Sequence, residues 1–254
     1  MQAFYLEAPF ATFRTFTAGW YRPTATFVTP SAAYGLLLNL AGIESRLLES
    51  DAAHPGKVPA SVTQRGLPRV ELAIGVPAYR LRHGIREIVA DREVFPRHQT
   101  IFQQLHNYPV GTSGAERAES ARGNKYNITP IRREYLSDVR AVVVMRGDDD
   151  LALRVRQGLR GDGPATRYGI PFLGDNAFLP DRIVPVDDLG PVRWYERVNA
   201  DSAASSRERT ARLTVLIDRA DLSRTTSALY APQAESTTDP PSSLAWTEIS
   251  PPPH

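Results

Sequence analysis

The sequence predicts an α+β fold with a ferredoxin-like core, and three observations carry that expectation. Once one long polar insertion is set aside, the strand and helix patterns follow in the order β-α-β-β-α-β. The run AVVVM at 141–145 is rich in β-branched residues and uninterrupted, as a strand buried on both faces should be. Two helix patterns with start and stop signals fall between strands where that order needs them. Other α+β folds generate the same string, so the order alone does not choose among them.

The elements follow in turn. QAFYL at 2–6 is short and aromatic-rich, suiting a first strand. Pro9, Gly19, Pro23 and Pro30 break up the next segment too often for a long helix. Ser31 is placed to cap a helix over 32–41, with Leu37, Leu38, Leu40 and Ala41 facing the core and Gly42 ending it. Residues 43–68 are polar and irregular. From Arg69, Val70, Leu72 and Ile74 recur at period two, which is a strand. HGIREIVADREVF, at 83–95, fits strand and helix patterns equally. After the insertion and AVVVM, acidic residues precede Leu151, Leu153, Val155 and Leu159, a helix of about ten residues. RYGIPFLGDNAFLP, at 167–180, reads as a loop in which Tyr168 and Phe172 either stack on a ligand or plug the core. IVPVDDL, PVRWYERV and RLTVLIDRA supply further strands. The expected organisation is a single domain over 1–229, with a basic insertion at about 95–135, followed by a Pro/Ser-rich tail at 230–254 anchored only by Trp246.

Composition narrows the function. Apolar residues make up 42% of the 254, a globular proportion. With no cysteine, thiolate catalysis, disulfides and thiolate metal sites are excluded. The start lacks a basic and then apolar leader, and AAYGLLLNLAGI falls well short of the roughly 20 residues that cross a bilayer, so a cytoplasmic protein without membrane contact is expected. The net charge of +2 divides unevenly: residues 1–64 hold four basic and four acidic side chains, 65–146 hold fourteen and eight, and 147–254 hold twelve and sixteen. The positive charge is therefore central. Apart from Lys57 and Lys125 it is all arginine, the residue suited to bidentate phosphate contacts.

That central charge coincides with HNYPVGTSGAERAESARGNKYNITPIRREY, at 106–135, which has too few aliphatic residues to join a core. Its glycines lack the GxxxxGK[ST] spacing of a phosphate loop, and the five histidines form no paired metal signature, so neither a metal nor a cofactor is expected. His106, Lys125 and Tyr126 amid arginines could cut RNA without metal, histidine moving the proton and the cations stabilising the phosphorane. Contact with phosphate is the simpler use of the same groups. The expected RNA-binding residues are Arg14, Arg22, His106, Asn107, Tyr108, Arg117, Arg122, Lys125, Tyr126, Arg132 and Arg133, with no catalytic residue assigned. Phe13 and Phe16 are expected in the core.

At three places the sequence resembles the Cas5 family of CRISPR-associated proteins. APFATFR resembles that family's start, YRPTATFVTPSAAYGLLLNLAGIE its approach to the first helix, and RYGIPFLGD its late glycine-proline motif. The three lie in the family's order over roughly residues 1–175, and the pattern is most similar to the myxobacterial-type branch, DevS. The resemblance implies an RNA-recognition-type (RAMP) core with a long β-hairpin thumb inserted before the third strand. It also implies a crRNA-binding subunit that grips the 5′ handle of the guide RNA in a type I Cascade complex, without cleavage. That subunit would touch a Cas7 backbone subunit and a Cas8-type large subunit, with Arg14, Arg22, Lys125 and Arg132 carried over to the handle. One branch of the family is itself a metal-independent endoribonuclease for precursor RNA. This chain does not match that branch position by position, and the nuclease stands as the alternative.

Overall fold

The computed structural model describes residues 1–15, 21–46, 63–64, 66–107, 127–163, 169–198, 209–218 and 221–251, with 104–107 and 127–129 described for the backbone alone. Its strands are β1 (Gln2–Ala11), β2 (Tyr21–Arg22), β3 (Val70–Pro77), β4 (Tyr79–Arg82), β5 (Ile85–Ile88), β6 (Arg97–Asn107), β7 (Asn127–Arg146), β8 (Arg182–Val186), β9 (Val192–Arg197), β10 (Ala211–Leu216), β11 (Thr226–Pro232) and β12 (Trp246–Ile249). Two α-helices are described, α1 (Pro30–Leu40) and α2 (Asp149–Arg160).

The centre of the sheet runs β8-β1-β7-β3, every neighbouring pair antiparallel. With α1 between β1 and β3 and α2 between β7 and β8, this arrangement is consistent with a ferredoxin-like, RAMP-type core. The sheet continues past β3 through β9, β11 and β10. The strand order places the segment of β7 that begins at Val139 in the middle, and its composition explains why. Val139, Ala141, Val142, Val143, Val144 and Met145 are all buried. Phe4, Leu6 and Ala8 of β1 face one core, which they share with Leu37, Leu38 and Leu40 of α1 and Leu151 and Val155 of α2. Ala3 and Tyr5 face the other, with Tyr79 and Trp194. A strand covered on both faces has no reason to alternate in polarity, which is why QAFYL does not.

The helix ends follow local chemistry. The cap of α1 is Thr29, not Ser31: its Oγ1 accepts from the Ala32 N–H at 3.2 Å. Pro30 then takes the first helical position, where no backbone donor is needed. Asp148 caps α2 through the Leu151 N–H at 2.8 Å, and Gly161, at φ 84°, ends it in the left-handed conformation. HGIREIVADREVF divides into a hairpin strand, β5 paired with β4, and a short 3-10 turn over Asp91–Glu93. Positive φ at both His83 and Gly84 makes the two-residue turn that joins those strands.

Residues 230–251 are not a tail. β11 bridges β10 and β9, and β12 pairs with β3 from Trp246↔Ala73 to Ile249↔Val70. Four residues suffice for β12, and only Ile249 of them is a buried aliphatic, so the segment's low aliphatic content hid it. Trp246 does act as an anchor, with the Arg146 guanidinium 4.0 Å over its ring. No described helix is long and apolar enough to cross a membrane.

Candidate nucleic-acid interface

β7 is 20 residues long, and its two ends have different neighbours. Its second half sits between β1 and β3, while its first half pairs along its length with β6, from Arg97↔Ser137 to Asn107↔Asn127. The change falls at Asp138, which has a left-handed φ of 57°. Leu136 and Val139 are both buried, so the strand's alternation slips by one residue across that position. Beyond it, Arg97 to Phe102 of β6 are exposed on both faces of the ladder. The insertion that cannot join the core is thus bounded by strand on both sides, and residues 108–126 between them lie outside the described part.

Three segments distant in sequence meet at the base of this ladder. The chain after β1 bridges Arg14 to Thr24. β2 runs parallel to β7, setting Tyr21 opposite Arg132 and Arg22 opposite Arg133. The loop of 169–180 crosses the end of β1, with the Thr12 N–H donating to the Leu173 carbonyl at 3.1 Å. Gly174 makes that crossing. It has φ 78°, and a Cβ there would overlap the Thr12 carbonyl oxygen, so only glycine fits. Leu173 is buried beneath the loop, while Phe172 beside it is partly exposed.

The loop delivers Asp175 to Arg133, and the two form an ion pair whose side chains are 16% and 13% exposed. Burial alone would raise the Asp175 pKa. The Arg133 hydrogen bond, the Ala177 N–H and the charges of Arg133 and Arg14 outweigh it and hold the carboxyl below its ordinary value. Arg133 also lies 5.6 Å from the Phe178 ring centroid. Phe178, Phe10 and Tyr135 pack together with centroids 5.5–6.0 Å apart. None of the ion pairs among the described residues involves Arg14, Arg22 or Arg132; Arg14 and Arg22 lie near the neutralised pair, and Arg132, next to Arg133 in the strand, faces the other side.

The opposite face of the ladder is simpler. Register places Tyr21, Arg132 and Phe102 side by side on three adjacent strands, and the Arg132 guanidinium sits 5.2 Å from the Tyr21 ring centroid. The Tyr21 hydroxyl donates to Glu134, which raises its pKa. Glu134 is fixed in turn, accepting from the Thr24 N–H at 3.2 Å, while its carbonyl accepts from the Thr12 hydroxyl at 3.2 Å. Phe102 is 80% exposed and Tyr21 43%.

Of the residues expected to bind RNA, the structure brings Arg14, Arg22, Arg132 and Arg133 together. His106 and Asn107 lie on β6, opposite Ile128 and Asn127. Tyr108, Arg117, Arg122, Lys125 and Tyr126 lie outside the described residues, as does Phe16. Phe13 is in the core as expected. Sequence reasoning missed Phe102, Glu134, Asp175 and Phe178. A period-two reading of RHQTIFQQL as strand would have found Phe102; nothing local marks Asp175 as a partner 42 residues from Arg133. A polar cleft of about 350 Å³ lies near Asp138, lined by Glu7, Arg80, Arg82 and Arg182 among others. Its lining holds three arginines and three carboxylates, and Arg80 pairs with Asp138 at 2.7 Å. Among the described residues no three His, Asp or Glu side chains are grouped to hold a cation.

A family model described as "CRISPR-associated protein (Cas_Cas5)" matches residues 3–246. Among solved structures, a chain of a "CRISPR RNA-guided surveillance complex" is similar at 15% identity with a TM-score of 0.51, covering 92% of this chain and 90% of that one. A second, titled "Crystal structure of Cas protein", is 13% identical with a TM-score of 0.42 and covers 91% and 93%. At these identities the first likeness concerns the fold. No curated protein matches the chain.

Proposed function

The chain belongs to the Cas5 family of CRISPR-associated proteins, and from that premise we propose that it is a non-catalytic crRNA-binding subunit of a type I Cascade complex. It caps the 5′ handle of the guide RNA, contacts a Cas7 backbone subunit and a Cas8-type large subunit, and lies closest to the myxobacterial-type branch. The β6–β7 ladder is the base of its thumb, and Arg117, Arg122, Lys125 and Tyr126, which lie between the two strands in sequence, are among its RNA-binding residues.

The observation that carries this reading is the meeting of Arg14, Arg22 and Arg132 from separate segments, none of them in a described ion pair, at one end of the sheet. Cations in no ion pair among the described residues suit phosphates, and their attachment to three backbone segments gives them fixed spacing. Arginines held that way discriminate a chain of phosphates from a single anion. Arg133 differs. Its pairing with Asp175 makes it a support for the loop and for the orientation of its neighbours.

The test is binding of a single-stranded repeat RNA by the purified chain, in EDTA and across a salt series. Affinity should fall with salt. Arg14→Ala and Arg22→Ala should each weaken binding and reduce the magnitude of the log–log salt slope by about 0.7 for every phosphate the variant no longer neutralises. RNA that stays intact is part of the expected result. An unchanged slope in both variants, or a single cut leaving a 2′,3′-cyclic end, overturns the reading.

A further inference from the structure

We infer that Tyr21, Arg132 and Phe102 form a stacking row for two unpaired bases, a site that rests on the RNA-binding reading, shares Arg132 with its phosphate contacts and adds base contacts to them. Register fixes the row. Tyr21 of β2 is the direct partner of Arg132 on β7, and Arg132 is the direct partner of Phe102 on β6. Directly paired residues point to the same face of a sheet with their Cβ atoms roughly 5 Å apart. The Cβ atoms that carry the two aromatic rings therefore stand about 10 Å apart, with the Cβ of Arg132 between them.

Exposure and chemistry then select the ligand. Phe102 is 80% exposed, the most exposed large hydrophobic side chain among the described residues, and at 43% Tyr21 leaves part of its ring open. An isolated protruding phenylalanine is costly in water and contributes nothing to this core. Here it is aligned with an arginine and a second ring in a row fixed by backbone hydrogen bonding. Glu134 holds the Tyr21 hydroxyl on the row's inner side, and Arg132 packs against that ring at 5.2 Å. These constraints reduce the side-chain freedom that a ligand would otherwise have to remove. A flat ring on each side of a cation suits two bases of a single strand, each with a π-face, joined by the phosphate between them. An apolar peptide would bury Phe102 equally well but would leave the Arg132 charge facing it without a partner. The positive edge formed by Arg14 and Arg22 nearby favours the nucleic acid again.

The row differs from a phosphate clamp in what it recognises: unpaired bases, without demanding a particular one. A duplex hides base faces and should be bound less well at this site. Glu134, which shares this face of β7 with Arg132, disfavours a second phosphate in the same place and sets the direction in which the strand leaves.

The test uses the full chain and a single-stranded RNA carrying 2-aminopurine at successive positions, whose fluorescence falls on stacking. Phe102→Leu keeps apolar bulk and removes the π-face; Phe102→Tyr keeps the ring. The first should weaken binding roughly 5- to 150-fold, abolish the fluorescence loss at one position and leave the salt slope unchanged, while the second should bind as the parent does. Because Phe102 is so exposed, both variants should melt at the parent temperature. An RNA abasic at the quenched positions should bind the parent and Phe102→Leu equally. If Phe102→Leu binds and quenches like the parent while Arg14→Ala still weakens binding, the RNA-binding reading survives and the stacking row is refuted. If the parent binds no RNA at low salt, the underlying reading fails and the row with it.

Discussion

The two halves of β7 are one strand under two sets of forces. From Val139 to Met145 every residue is buried, and Arg140 among them is fully enclosed, donating to the Tyr79 carbonyl at 3.3 Å and to that of Glu93. From Pro130 to Tyr135 only Ile131 is buried, and the other residues make their contacts through charge and ring faces. The inner half is fixed by removing apolar surface from water, which does not depend on pH and is not screened by salt. The outer half is fixed by a backbone ladder on one side, two residues of β2 on the other, and the Arg133–Asp175 pair. This division lets one strand serve both as the sheet's centre and as an open surface for a ligand.

The largest expected effect lies where the halves join. Leu136 is fully buried at the base of the ladder, opposite both His98 and Ala11. Leu136→Ala removes most of an aliphatic side chain from a site with little room to collapse and should cost about 2–5 kcal/mol. Urea unfolding should show the midpoint falling with an unchanged slope. A loss below about 1 kcal/mol would mean that the joint is already loose and that the core ends nearer Val139. Gly174→Ala should come next. Its Cβ would overlap the Thr12 carbonyl and its φ is left-handed, so the loop must move off β1, at roughly 1–3 kcal/mol. The same variant should free Arg133, and the altered exchange of the Thr12 amide, which normally donates to Leu173, would report the movement.

The comparison also explains what the sequence could and could not disclose. AVVVM is legible because burial on both faces demands apolar residues without alternation, and few other structures demand that. The β-α-β-β-α-β order is legible because each crossover helix carries its own start signal, although Thr29 rather than Ser31 turns out to cap the first. RREY is not legible as strand. Arg132 and Glu134 face one side and Arg133 and Tyr135 the other, so no apolar period marks it; what holds it extended is pairing with β6, 30 or so residues earlier. β12 hides for a related reason, being short and paired with a strand some 170 residues away. The arginines of the candidate site were recognisable by type, and the resemblance to a family placed two of them near β1. Their convergence, and the identity of Asp175 as the one carboxylate that neutralises Arg133, depend on tertiary register that no local pattern encodes.

Asp175 offers the finest test of whether the outer half is held electrostatically. Its folded pKa lies below the ordinary carboxylate value near 3.9, because the Arg133 hydrogen bond and charge outweigh the cost of burial. A depressed folded pKa adds stability that is fully present above the unfolded pKa and disappears as pH falls through the folded one. Asp175→Asn should therefore be less stable than the parent by about 1–2 kcal/mol at pH 7, with the gap narrowing below about pH 4. Urea unfolding of both chains at pH 7 and near pH 3 measures it. In the parent, acid should also lower the hydrogen-exchange protection factors of Arg133 and Tyr135, each taken against the intrinsic rate at that pH, before those of Val142 or Val143, since apolar burial holds the inner half at either pH. A gap that stays constant with pH would mean that Asp175 acts through its backbone turn, where its Oδ1 accepts from the Ala177 N–H at 2.9 Å, and not through its charge. In that case the two halves of β7 would differ in packing alone.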